Sequence, residues 1–193
     1  MKRLKILVLD NYDSFVYNLV HILRELGQEP DVIRNDKISL EEVAKYDKIL
    51  LSPGPGIPSE AGIMPELIKK YGSSKSILGV CLGHQAIGEA FGADLINMKD
   101  VLHGIQGVAT QTDTRDTVFF EGAKDAFEIA HYHSWAIERA SLEGTDLLLT
   151  AVDKDGQVMA VKHKDYDVRG VQFHPESVLT EGGKQMIKNW LEN

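Results

Sequence analysis

Apolar residues mark the first half of the chain in two alternating rhythms. Short apolar runs at residues 6–9, 48–51 and 77–80 have the length of buried strands, and 31–34 is a further short strand candidate. Between them, residues 14–26 carry Phe15, Leu19, Ile22, Leu23 and Leu26 at helical spacing, ended by Gly27. Ser39-Leu40-Glu41-Glu42 has the form of a capping box opening a short helix. Residues 63–71 and 85–91 also read as helices. After Ala93 the pattern becomes β-rich, with strands predicted at 107–112, 147–153, 157–163 and 168–173 and a hairpin turn at Asp155-Gly156. Signals are weaker between residues 97 and 130, and 187–191 belongs to a closing helix. Strands alternating with helices predict parallel pairing. The expected fold is a three-layer α/β sandwich: a mostly parallel central sheet with a smaller antiparallel section, in one domain over residues 1–193. No repeat, linker or low-complexity tract interrupts it. A ligand site in such a sheet lies beyond the C-terminal ends of the strands.

The chemistry concentrates at one such end. Gly79-Val80-Cys81-Leu82-Gly83-His84-Gln85 holds the single cysteine between two glycines, after a strand-like run and before a helix-like one. This is the arrangement of a nucleophile elbow with sulfur in place of oxygen. A lone cysteine is also a common small buried hydrophobe. The glycines and the strand–turn–helix setting favour the nucleophile, provided a base exists elsewhere. Gly170-Val171-Gln172-Phe173-His174-Pro175-Glu176-Ser177 offers one. Residues two apart in an extended chain project to one side, so Glu176 is expected to reach one imidazole nitrogen while the other faces the thiol. Pro175 ends the strand, which puts the pair at a sheet edge or mouth. The alternative for His174, one of seven histidines, is an ordinary core or surface residue. A third segment, residues 50–62, contains three prolines and three glycines and must be a rigid loop. It suits presentation of a backbone N–H to a substrate carbonyl, and equally fits a plain surface turn.

Composition narrows the class. With 193 residues, 43% hydrophobic and 26% charged, the chain has the make-up of an ordinary soluble domain. No apolar run approaches a membrane span. The basic start is followed by an apolar stretch broken at Asp10, too short for a secretory signal. One cysteine excludes an internal disulfide framework and fits a reducing cytoplasm. A net charge of −8 disfavours nucleic acid and anionic membranes as partners. No Cys/His cluster has zinc spacing, so no metal is expected, and no phosphate-cradling loop motif is present.

In this order, the three segments resemble the class I (triad) glutamine amidotransferases, whose fold is flavodoxin-like. The likeness is strongest to component II of anthranilate synthase and its near twin in para-aminobenzoate (aminodeoxychorismate) synthesis. It extends from about Ile6 to Trp190 and includes Val8-Leu9-Asp10-Asn11-Tyr12-Asp13-Ser14-Phe15 and His131-Tyr132-His133-Ser134-Trp135. The resemblance implies that Cys81 attacks the side-chain carbonyl of L-glutamine, that His174 moves the protons and that Glu176 orients the imidazole. It implies an oxyanion site at Leu82 and the loop of Gly54, Pro55 and Gly56, and head-group binding by Gln85, Ser134 and Trp135. It implies ammonia delivery to a magnesium-dependent partner, the chorismate-binding synthase large subunit, with no cofactor in this chain. The pathway reads as tryptophan synthesis, with folate synthesis or shared use as the alternative. A stand-alone elbow-cysteine hydrolase is more remote. The length leaves no room for the further domains of guanylate- or carbamoyl phosphate-forming relatives, which points to a separate synthase subunit. Trp135 stands where the family often has leucine, His131 where it often has arginine, and Ile105 follows His103-Gly104 where a lysine is common. These departures bear on the partner interface.

Overall fold

Strand β1 (Ile6–Asp10) buries side chains on both faces. Ile6 and Val8 join one hydrophobic cluster, and Leu7 and Leu9 join another. That division repeats through the sheet: Leu50 lies opposite Ile49 and Leu51 in β3 (Lys48–Leu51), and Leu78 opposite Ile77 in β4 (Ser76–Val80). A strand with two buried faces needs a layer on each side. On one side lie α1 (Val16–Glu25) and α4 (Gly183–Glu192), bringing Leu19, Leu23, Ile187 and Trp190. On the other lie α2 (Met64–Tyr71) and α3 (Leu82–Ala90), bringing Leu67, Ile68 and Ile87. The computed structural model describes residues 3–193; Met1 and Lys2, which open the basic start, lie outside the described residues.

The remaining strands are β2 (Asp31–Arg34), β5 (Leu95–Gln111), β6 (Ala126–Ile137), β7 (Leu147–Val152), β8 (Val158–His163) and β9 (Val168–Val171). Among the described residues they form one sheet in the order β2-β1-β3-β4-β9-β8-β7-β5-β6. The pairings from β2 to β9 are parallel and those from β9 to β6 antiparallel. The antiparallel part is therefore larger than the sequence suggested. Its 17-residue β5 and 12-residue β6 were only partly legible, as a strand at 107–112. The expected α/β layering is otherwise present. No helix among the described residues is long and apolar enough to cross a membrane.

Local signals explain several boundaries. Gly27, at φ +82°, closes α1, with its N–H on the Arg24 carbonyl and that of Gln28 on Leu23. The Ser39–Glu42 box is reciprocal: Ser39 N–H donates to Glu42 Oε2 at 2.8 Å and Glu42 N–H to Ser39 Oγ at 3.3 Å. It opens one 3-10 turn, Glu42–Lys45. The β7–β8 hairpin turns through residues 153–157, with the Asp153 carboxylate accepting from the N–H groups of Asp155 and Gln157.

Candidate active site

β4 delivers Cys81 to the N-cap of α3 with φ +53° and ψ −101°, a backbone region that side chains rarely occupy. The flanking glycines make the turn possible. A Cβ on Gly79 would lie 2.5 Å from the Gly83 carbonyl, and one on Gly83 would lie 2.5 Å from the Leu51 carbonyl. Cys81 N–H donates to the Val171 carbonyl of β9 at 2.9 Å, and the Cys81 carbonyl accepts from Gln85 N–H at 3.0 Å. The sulfur is thus held over the C-terminal ends of β4 and β9, beside first-turn amides that lack intrahelical acceptors.

β9 ends at Val171, and His174 follows in a turn closed by Ser177 N–H on the His174 carbonyl at 3.1 Å. His174 Nδ1 and Glu176 Oε1 are 2.6 Å apart. The expected pair exists, but the turn creates it; an extended strand does not. It sits at the mouth of the sheet and not at its edge, because β9 lies between β4 and β8. Thr180 locks the turn: its hydroxyl donates to the His174 carbonyl at 2.6 Å and accepts from Ala130 N–H at 3.1 Å. The rings of Tyr132 and Phe15 pack on the imidazole, with centroids at 5.0 and 5.9 Å.

A cleft of about 200 Å³ opens at Cys81, lined by Gly54, Pro55, Gly56, Gln85, Ser134 and Trp135, with His103 and Tyr132 at its wall. A second cleft, about 420 Å³, shares Cys81, Gly54 and Pro55 and adds Phe15 and His174. Every site residue suggested by the sequence is therefore at or beside these clefts except two. Glu176 is buried behind His174, and Leu82 is buried with its methyl group against Gly54. Leu82 contributes the first N–H of α3. The proline-glycine loop is pinned by Asn11, whose amide donates to the Ser52 carbonyl at 2.7 Å and whose N–H donates to Ser52 Oγ at 2.9 Å. Gly54 rests directly on Asn11, leaving no space for a side chain.

Trp135 enters the site through its carbonyl, which accepts from Gln85 Nε2 at 2.9 Å and His133 Nδ1 at 3.0 Å. Gln85 Nε2 also donates to Gln172 Oε1 at 3.2 Å, and Gln172 Nε2 to the Cys81 sulfur at 3.5 Å. Both Gln85 N–H groups are so committed, which leaves its side-chain oxygen as the acceptor this residue can offer a ligand in the cleft it lines. A cationic amino group fits there.

Burial opposes a charge on His174, but the Cys81 sulfur and the Glu176 carboxylate outweigh it and raise the ring to about 10. Its Nε2 is buried and has no hydrogen-bond partner within ordinary distance, which leaves it available to the Cys81 sulfur and to a leaving amine. The resting arrangement favours an imidazolium at His174. His133, by contrast, is pushed down to about 4 by burial and stays neutral, and His131 is also lowered by burial. Such a site can attack a carbonyl carbon, protonate a leaving amine and hold an oxyanion at backbone N–H groups.

The sequence had assigned no role to Gln172, Asn11, Phe15 or Tyr132. For Gln172 a signal existed: a polar residue alternating with Val171 and Phe173 in a buried run, on the same side as His174. For Asn11 and the aromatics nothing local announced the role, since their partners are distant in sequence.

The family model for "Glutamine amidotransferase class-I" matches residues 7–193. The chain is 46% identical to "Anthranilate synthase component 2" of Thermus thermophilus, covering 100% of this chain and 94% of that protein. It is 42% identical to "Aminodeoxychorismate/anthranilate synthase component 2" of Bacillus subtilis, covering 97% and 95%. It is 45% identical to "Bifunctional protein TrpGD" of Thermotoga maritima over 97% of its length, and spans 32% of that longer protein. The crystal structure of a putative GMP synthase protein from Thermoplasma acidophilum superposes with TM-score 0.86 at 27% identity, covering 100% of this chain and 94% of that one. Length alone therefore does not separate this chain from guanylate-forming relatives. The whole-length match and the component 2 relatives lead to one statement: the chain belongs to the class I glutamine amidotransferases.

Proposed function

We propose that this chain is the glutaminase component of a chorismate-using synthase, in the first place anthranilate synthase. The observation that carries the reading is Cys81 on its strained elbow, bordering both the Gln85–Trp135 cleft and the cleft that holds the His174–Glu176 pair. The Cys81 thiolate attacks the side-chain carbonyl carbon of L-glutamine. The oxyanion is held by the N–H of Leu82 and those of Gly54 and Gly56 on either side of Pro55, donors that in comparable sites contribute roughly 100–1,000-fold in rate each. Protonated His174 gives its proton to the departing nitrogen, which leaves as ammonia and yields a thioester on Cys81. His174, now neutral, accepts a proton from water as the water attacks, and glutamate is released with the thiolate restored. Glu176 keeps Nδ1 protonated throughout. The Gln85 carbonyl oxygen and the backbone around Ser134 and Trp135 hold the amino-acid head group.

Ammonia in neutral water is mostly ammonium and does not act as a nucleophile, so direct delivery to a chorismate-binding component I preserves it. The half-reaction needs no cofactor of this chain; the magnesium requirement belongs to the partner. The cytoplasm is the proposed compartment, in keeping with a lone unpaired Cys81. A second reading, shared service to aminodeoxychorismate synthase, is favoured by the double name of the Bacillus subtilis relative.

The test is intact-mass analysis after treatment with an electrophilic glutamine analogue. One adduct on Cys81, blocked by glutamine and lost in His174→Ala, is expected. No adduct with or without either chorismate-using partner would sink the reading. Ammonia-dependent and glutamine-dependent product formation with each partner assigns the pathway.

A further inference from the structure

We propose that Gln172 stabilises the thiolate form of Cys81 and ties that form to the glutamine pocket through Gln85. The inference rests on Cys81 being the nucleophile and adds a residue to it. A carbonyl can only accept, so the Trp135 oxygen fixes which end of the Gln85 amide faces it, at 2.9 Å. The second Gln85 N–H then points at Gln172 Oε1, 3.2 Å away. With its oxygen committed there, Gln172 has its Nε2 turned to the Cys81 sulfur at 3.5 Å. The register is set still further back, because the same Trp135 oxygen accepts from His133 Nδ1, and His133 Nε2 faces His131 Nδ1 at 3.1 Å. Gln172 has no solvent exposure, so water cannot replace its donor.

A neutral thiol is a weak acceptor and a thiolate a strong one, so a fixed N–H beside sulfur favours the charged form. The Tyr132 carbonyl, 3.9 Å from the sulfur, accepts from the neutral thiol and works against it. Other titratable groups surround the sulfur. They are His174 with Glu176 behind it on the turn after β9, His103 on β5, Tyr132 and His133 on β6, His84 on α3, and Tyr12 and Asp13 after β1. Of these, His174 supplies the countercharge; Gln172 is the side-chain amide that donates to sulfur. Because Gln85 lines the substrate cleft and shares its amide with Gln172, any ligand that reorients Gln85 also acts on the donor to the thiolate. Gln172 is thus a positioning and charge-stabilising residue, placed two residues before the base.

The experiment compares Gln172→Met, close in size but without a donor, with Gln172→Glu, which sets a carboxylate beside the sulfur. Cys81 alkylation by iodoacetamide is followed against pH, a reaction that needs no glutamine. In Gln172→Met the midpoint is expected to move up by about one unit, a tenfold loss of thiolate at fixed pH below it, and to move further in Gln172→Glu. The KM for glutamine rises in Gln172→Met, where the second Gln85 N–H loses its acceptor, and less in Gln172→Glu, whose carboxylate still accepts it. An unmoved midpoint in folded variants overturns the inference, whatever happens to kcat. Should either variant fail to fold, the unmutated protein decides. Its Gln172 side-chain amide resonance is expected to titrate with the same midpoint as the ultraviolet thiolate absorbance, and an amide that ignores that titration also overturns the inference. A wild-type Cys81 inert to iodoacetamide at every pH tested instead removes the nucleophile assignment beneath it.

Discussion

His174 Nδ1 lies 2.6 Å from Glu176 Oε1, and both side chains are almost wholly excluded from water. A carboxylate so placed fixes the tautomer and stabilises the imidazolium without itself needing to take up the proton. Glu176→Gln keeps the size and removes the charge. It is expected to lower kcat for glutamine hydrolysis by about 10²–10⁴-fold while leaving KM within a few-fold. Steady-state ammonia release with the synthase partner present checks it. A loss below about tenfold would show that the Thr180-locked turn alone orients the ring.

Cys81 stores strain. A non-glycine residue at φ +53° and ψ −101° costs on the order of 1–3 kcal/mol. Cys81→Gly is therefore expected to be more stable than Cys81→Ala in thermal or denaturant unfolding, by up to about that amount after allowing for glycine's greater unfolded-state freedom. Both variants lose glutaminase activity. Equal stabilities would mean that the elbow is not strained. Gly83→Ala should do the reverse, because its Cβ would meet the Leu51 carbonyl, and should lower the melting temperature with Cys81 intact.

How far the sequence carried the fold depends on where the pattern stays regular. In the parallel half it does: β1, β3 and β4 are short apolar runs, their helices have apolar stripes, and the boundaries fall within a few residues. In the β5–β6 ribbon it does not. Register shifts between Asn97 and Leu102, and again between His103 and Ile105, break the two-residue alternation, and only Ala109 of β5 is buried. A strand that faces water on both sides and bulges twice leaves no readable period. The triad was legible because its residues sit in short runs of unusual composition. The polar chain from Gln172 to His131 was not, since it joins the turn after β9, α3 and β6, which only folding brings together.

The buried histidines set a pH dependence whose sign is fixed by their environment. Burial pushes His84 down to about 3 and His133 to about 4, from an ordinary value of 6.5. The unfolded chain therefore binds more protons than the folded one between these limits. Stability is at its full value above about pH 6.5 and is lost progressively as the pH falls towards 4 and then 3. His174 acts oppositely. Its folded value is raised, so its contribution is present below 6.5 and is lost as the pH rises through about 10. Denaturant unfolding across pH should show an optimum between these limbs. His84→Asn should flatten the acid limb and Glu176→Gln the alkaline one; unchanged limbs in both variants would contradict these assignments.

The last prediction concerns Asn11, which has no contact with the sulfur yet holds the loop that lines its cleft. Its amide donates to the Ser52 carbonyl, its carbonyl oxygen accepts from Asn35 Nδ2 at 3.0 Å, and Gly54 rests on its backbone. Asn11→Ala leaves the buried Ser52 carbonyl and the Asn35 amide without these partners, at a cost of about 1–3 kcal/mol for each buried group so stranded. Relief of that cost comes through movement of the loop, and the loop carries the N–H groups assigned to the oxyanion. The variant is expected to lower kcat for glutamine and slow labelling by the glutamine analogue, while alkylation of Cys81 by iodoacetamide keeps its wild-type pH midpoint. That separation distinguishes loop placement from nucleophile activation: an Asn11→Ala protein that loses stability but keeps its kcat would show that the loop holds its shape through its prolines alone.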